Sequence, residues 1–231
     1  MKITEISVIP LSYAYGEDPV TGRLQIPRRY FSIIKISTDE GLVGWGEASD
    51  CYGHHLPLTL KTYIKEQLQW WLLDQDPNDG ENLMERLRTQ CYRYQGNTEL
   101  VMQALSAVEM AIWDIRGKAL GLPIYKLLGA HREKIQIYVG GRPSFHVSAE
   151  QHLEWLQPHL SRGVKAVKIR IGNNFVWDAQ FVRNMRKILP QDTRVLVDGK
   201  YNYTPDSAIK MSYILAEEGI DCFEEPVVSL D

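Results

Sequence analysis

Residues 167–224 read VKIRIGNNFVWDAQFVRNMRKILPQDTRVLVDGKYNYTPDSAIKMSYILAEEGIDCFE, and the alternation inside this stretch decides the fold. A short β-branched run at 167–171 gives way to a helical pattern at 178–189, stopped by Pro190. Residues 195–198 read as strand again. Thr204-Pro205 then supplies an N-cap followed by proline at the first helical position, with Gly219 as the stop. Residues 222–224 open one more strand. Upstream, 135–139 reads as a short apolar strand, and Ser148 with Gln151 has the spacing of a capping box that opens a helix. Strands and helices alternating at roughly 25–32 residues per unit imply a parallel sheet with right-handed crossovers. Four strands are predicted, whereas a closed eight-unit barrel takes ~250 residues.

The stretch before residue 128 follows different rules. Residues 2–9, 30–37 and 42–48 read as strands, the last two joined by the turn Thr38-Asp39-Glu40-Gly41, which predicts an antiparallel meander. Between the first two lies a predicted long loop, residues 13–29, with two glycines, two prolines and three arginines. Helices are predicted at 58–73, 82–94 and 99–120. In the third, Val101, Leu105, Val108, Ile112, Ile115 and Ala119 form one apolar stripe. Asn97 or Thr98 caps it, and Gly121 with Pro123 ends it.

The 231 residues are 44% hydrophobic and 24% charged, with net charge −3. Such a composition supports a packed core. A mildly acidic chain is a poor non-specific binder of nucleic acid. No apolar run approaches the ~20 residues of a membrane-spanning helix, and the N-terminus lacks the pattern of a secretory signal. Cys51, Cys91 and Cys222 form no CxxC, in keeping with a reduced, cytoplasmic compartment. GxGxxG, P-loop and GxSxG motifs are absent, so dinucleotide, Walker-type nucleotide and α/β-hydrolase readings have no support. The six histidines show no metal-ligand spacing.

Chemistry-bearing residues cluster at predicted strand ends. Lys168 and Arg170 lie two apart in one strand and share a face. They either point into a barrel, where they need anionic partners, or are solvated at its rim. Asp198 and Glu224 end successive strands one β/α unit apart, which brings both to the mouth of a parallel barrel. Two carboxylates there suit a hard cation such as Mg2+. Alternatively they cap loops or pair with Lys168 and Arg170.

Several motifs carry a family resemblance. The stretch 41–48, GLVGWGEA, resembles the third strand of the capping domain in the enolase superfamily, in its mandelate racemase/muconate lactonizing branch. The stretch 106–129, SAVEMAIWDIRGKALGLPIYKLLG, resembles that branch's helix signature almost throughout. VKIRIG (167–172), VDG (197–199) and FEEP (223–226) are similar to its second, third and fourth barrel strands, in the right order.

The resemblance implies an α+β capping domain at 1–127. An α/β domain follows at 128–231, the first four units of an enolase-type modified TIM barrel. It implies Mg2+ as cofactor, a small carboxylate as substrate, a homo-oligomer, and removal of a proton α to the carboxylate. Asp198 and Glu224 become the first two metal ligands. Lys168 and Arg170 take the positions of a paired-lysine motif whose second member is often the base.

Three departures refine this expectation. Arginine stays protonated, so Arg170 is a poor base. That disfavours a racemase or epimerase and points to a dehydratase, eliminating water from a sugar-derived hydroxy acid. Lys200 stands where an amide that contacts substrate is common, and becomes a substrate-anion contact or an acid. The third metal ligand and a His–Asp pair are not in this sequence, so a catalytically incomplete remnant is an alternative. Tyr15, Arg23, Arg28 and His54, on capping-domain loops, are the candidate substrate contacts, with Arg29 and His55 beside them.

Overall fold

Alternating β-branched and polar residues drive the N-terminal segment into a sheet. β1 (Ile3–Ala14) is followed by a two-stranded antiparallel ladder, β2 (Val20–Thr21) with β3 (Leu24–Gln25), and then by β4 (Arg28–Thr38) and β5 (Val43–Ser49). β1, β4 and β5 form an antiparallel sheet in that order. The computed structural model describes residues 1–14, 20–21, 24–25, 28–49, 57–140 and 147–228. The chain divides into two compact units, residues 1–16 with 27–133 and residues 17–26 with 134–231.

The predicted loop at 13–29 is shorter than expected. Tyr13 pairs with Arg29 and Ala14 with Arg28, so the ladder runs past Ile9, where the predicted strand ended. Backbone pairing continues there although the side chains of 11–14 are all exposed, with none buried to mark a core face.

The helical part of this unit starts with a continuous run, α1 (Pro57–Tyr63), a π-helical turn (Ile64–Leu68) and α2 (Gln69–Leu72). α3 (Gly80–Gln95), α4 (Glu99–Leu120) and the short α5 (Ile124–Leu127) follow. α4 has the bounds expected of it, and Gly121 closes it in the left-handed region at φ +62°. Its buried face is wider than the predicted stripe, adding Ala104, Ala107 and Ala111, while Ala119 is exposed.

Those alanines explain the glycines of β5. A Cβ on Gly44 would lie 2.1 Å from the Ala111 carbonyl oxygen, and one on Gly46 1.9 Å from that of Ala107. Strand and helix meet backbone to backbone. Asp114 accepts the Trp45 N–H at 2.9 Å, and Lys118 donates to the Val43 carbonyl at 2.7 Å, so α4 also satisfies the free edge of β5.

The second unit is a parallel sheet, β6 (Val139–Gly140), β7 (Ala166–Arg170), β8 (Arg194–Asp198) and β9 (Phe223–Glu224), in sequence order. Its helices are α6 (Ala149–Leu160), α7 (Phe175–Ile188) and α8 (Pro205–Glu217). The capping box at Ser148–Gln151 is formed in full, and Thr204 caps α8 through the Ser207 N–H with Pro205 at the first position. α7 starts earlier than predicted, because Asn174 caps the N–H groups of Val176 and Trp177.

The strand expected at 135–139 shrinks to Val139–Gly140. Val139 sits opposite Val167, so residues 135–137 would need partners at 163–165, where Gly163 turns the chain at φ +87°. Ile135 and Ile137 stay exposed instead. Val167, Ile169, Val195 and Val197 pack with Leu156, Val182, Met185, Met211 and Leu215 into a core. That face of the sheet is committed to helices, leaving Lys168 and Arg170 for the other. Among the described residues, no helix is long and apolar enough to cross a membrane.

Candidate active site

The register of the parallel sheet aligns the functional side chains. Arg170 on β7 sits opposite Asp198 on β8, which sits opposite Glu224 on β9, one row at the C-terminal strand ends. Lys168 lies one pleat behind on the same face as Arg170. Its Nζ is 2.6 Å from Glu224 Oε2 and 3.3 Å from Asp198 Oδ2, so one ammonium is shared by two carboxylates. Asp198 is buried, whereas the Glu224 side chain is 41% exposed. Burial works to lower the Lys168 pKa, but Glu224 and Asp198 outweigh it and hold the ammonium above the usual lysine value.

Arg170 is half-buried. Its Nε is 3.8 Å from Asp198 Oδ2, too far for a hydrogen bond, and that buried Nε has no hydrogen-bond partner among the described residues.

The loop after β8 is strained. Lys200 and Tyr201 hold φ at +50° and +58°, and Glu225 after β9 holds φ at +43°. Left-handed non-glycine residues cost about 1–3 kcal/mol each and cluster at functional sites. The strain is held by pairing: the Lys200 N–H donates to Asp198 Oδ1 at 3.0 Å and the Tyr201 N–H to the Glu225 carbonyl at 2.7 Å. The Tyr201 hydroxyl also donates to the Glu225 carboxylate.

Beneath this loop lies Asp178, 1% exposed, a residue sequence reasoning passed over. It accepts the Tyr203 hydroxyl at 2.6 Å and the backbone N–H groups of Gly172 and Asn173 at 3.1 and 3.4 Å. Burial pushes its carboxyl above the usual range, and these hydrogen bonds only partly pull it back. An acidic residue in a helix first turn is ordinary, so only the fold reveals its partners.

Of the expected site residues, the structure brings together Lys168, Arg170, Asp198 and Glu224, with Lys200 following Asp198 in the chain. Arg28 is the first residue of β4, exposed, with Nη2 donating to Ser12 Oγ at 2.8 Å. Tyr15, Arg23 and His54 lie outside the described residues.

Could these groups hold Mg2+? The donor set is two carboxylates, hard oxygen ligands, converging on one positive centre, which fits a hard cation that keeps several waters. No cluster of three or more His, Cys, Asp or Glu ligands exists among the described residues.

Comparison with known proteins bears on the whole chain. Residues 20–129 match the family described as mandelate racemase / muconate lactonizing enzyme, N-terminal domain, and residues 152–231 the one described as enolase C-terminal domain-like. D-galactarolactone cycloisomerase of Agrobacterium fabrum is 32% identical over 99% of this chain and 59% of its own length. Arabinonate dehydratase of Saccharolobus solfataricus is 31% identical over 84% of this chain and 51% of its own. A crystal structure of an enolase superfamily member from Polaromonas sp. JS666 superposes with TM-score 0.90 at 33% identity, over 100% of this chain and 60% of that one. The chain thus spans 51–60% of the length of these relatives. Among solved structures of the same fold, a racemase from Streptomyces coelicolor A3(2) holds bound magnesium, and an L-talarate/galactarate dehydratase mutant holds Mg with L-glucarate. With both family matches in sequence order and the strand-end row in place, the chain belongs to the enolase superfamily, in its mandelate racemase/muconate lactonizing enzyme branch.

Proposed function

We propose that this chain carries the first part of the active site of a Mg2+-dependent acid-sugar dehydratase. The reaction removes the proton α to a carboxylate and expels a β-hydroxyl as water. The observation that supports it best is the row Arg170–Asp198–Glu224 with Lys168 shared between the two acids.

Asp198 and Glu224 would hold the cation through their carboxylate oxygens. Bound there, a magnesium ion supplies positive charge where the substrate carboxylate gains negative charge on proton loss. Lys168, kept protonated by the two acids, acts as a hydrogen-bond donor beside that carboxylate. Arg170, whose side chain is part-exposed on the same face, would meet the same anion through the outer nitrogens of its guanidinium, a planar fork that suits a carboxylate. Abstraction of the α-proton falls to a group other than these two cations. Lys200 is assigned as a contact to substrate or a donor to the departing hydroxyl. Tyr15, Arg23, Arg28 and His54 are assigned to the sugar chain.

The cycloisomerase, matched over 99% of this chain, favours a second reading. Isomerisation keeps the substrate's atoms, whereas dehydration loses water, so product mass separates them. The experiment incubates the intact protein with a set of aldonic and aldaric acids, and with their lactones, in the presence of Mg2+, and follows product mass. The expected outcome is a 2-keto-3-deoxy acid lighter by one water, absent with chelator and in Asp198→Asn. A lactone turned over to a product of unchanged mass supports the cycloisomerase reading instead, and no turnover of any acid or lactone defeats both.

A further inference from the structure

We propose that Asp178 and Tyr203 are positioning residues for the metal pair. Together they form a buried brace that ties the loops after β7, β8 and β9 and so fixes the separation of Asp198 and Glu224. The inference rests on the metal reading above.

Tyr203 touches all three loops. Its hydroxyl donates to Asp178 Oδ2, which also accepts the Gly172 N–H of the loop after β7. Its N–H donates to the Pro226 carbonyl at 3.0 Å, two residues past Glu224. Its ring meets Phe223, the neighbour of Glu224, edge-on at 5.6 Å. The loops also touch through backbone. A Cβ on Gly172 (φ +112°) would fall 2.6 Å from the Gly199 carbonyl oxygen, and one on Gly199 2.9 Å from Pro226 Cα and 3.2 Å from the Tyr203 ring. The Gly199 N–H in turn donates to the Glu224 carbonyl at 2.8 Å. Displacement of one loop therefore passes to the next.

The geometry has a consequence for Asp198. It is followed by the left-handed residues Lys200 and Tyr201, whose strain favours relaxation. Tyr203 closes that segment on its far side. Loss of its hydroxyl bond removes that side-chain link from the loop after β8 to Asp178; the backbone bonds to β9 remain, but the loop can shift and carry the Asp198 carboxylate relative to Glu224. Groups that orient metal ligands from behind are worth roughly 10–100-fold in metal affinity.

The test is Mn2+ binding to the intact chain, read by electron paramagnetic resonance of free Mn2+, with a thermal melt of each variant. Tyr203→Phe keeps the ring packing, and Asp178→Asn keeps the volume. Asp198→Asn is the control for the metal site. The expected result is a Kd raised roughly 10–100-fold in Tyr203→Phe and in Asp178→Asn, with cooperative melts retained, and binding lost in Asp198→Asn. Lower melting temperatures with an unchanged Kd would make the pair structural only and overturn the brace while the metal reading stands. Equal binding by wild type and Asp198→Asn, or none by wild type, overturns the metal reading and the brace with it.

Discussion

Lys168 is the residue on which the charge of the site turns. Its side chain is 10% exposed and its ammonium touches both carboxylates. Removing it leaves Asp198 and Glu224 without the ammonium they share, with Arg170 Nε 3.8 Å from Asp198 Oδ2. Breaking a buried pair typically costs about 3–5 kcal/mol, and the exposure of Glu224 screens part of this, so Lys168→Met is expected to lose about 2–4 kcal/mol. Urea unfolding measures it. Because a divalent cation replaces the missing charge, the loss should shrink when Mg2+ is added; an equal loss with and without Mg2+ counts against a cation at this point. Tyr203 gives a second handle at this scale. Burial first, then the hydrogen bond to Asp178 and its charge, raises its phenol pKa. The neutral phenol is favoured by folding, so its contribution is full below the unfolded value of about 10 and is lost as pH climbs from there toward the folded value. Unfolding free energy measured between about pH 9 and 12 should fall in the wild type and fall less steeply in Tyr203→Phe.

At the scale of elements, the most telling contact is β5 on α4. Gly44 and Gly46 are two apart on a strand and Ala107 and Ala111 four apart on a helix, the spacings that put each pair on one face. The result is a sheet and helix so close that no Cβ fits between them. Gly46→Ala forces the backbones apart, and overpacking of this kind costs typically about 1–3 kcal/mol or more. Equilibrium unfolding of that variant should show the loss. A cost under about 0.5 kcal/mol would mean the strand shifts freely. The sequence motif was visible as a family resemblance, and the helix was legible from its stripe and its terminal glycine. The small-residue face was not, because alanine carries little hydrophobic signal and its burial depends on glycines sixty residues away. The strand at 135–139 failed for a related reason. Its alternation is apolar, but register leaves most of it opposite a turn.

Across the whole molecule, local signals were enough to fix the class of fold. Caps at Ser148 and Thr204, the stops at Gly121 and Gly219, and the change from meander to strand–helix alternation are chemistry of neighbouring residues, and they specified an α+β part followed by a parallel β/α repeat. Strand-end acids and a two-apart cation pair were likewise legible, since side chains alternate along any strand and parallel strands share a mouth. What the sequence could not contain is which groups meet. Pairing of Lys168 with both Asp198 and Glu224 follows from the register of three strands. The burial of Asp178 and its bond to Tyr203, 25 residues on, follows from how two loops close over one another. Such contacts arise between residues far apart in the chain, where neither spacing nor propensity carries information, and only the packed sheet brings them to one point.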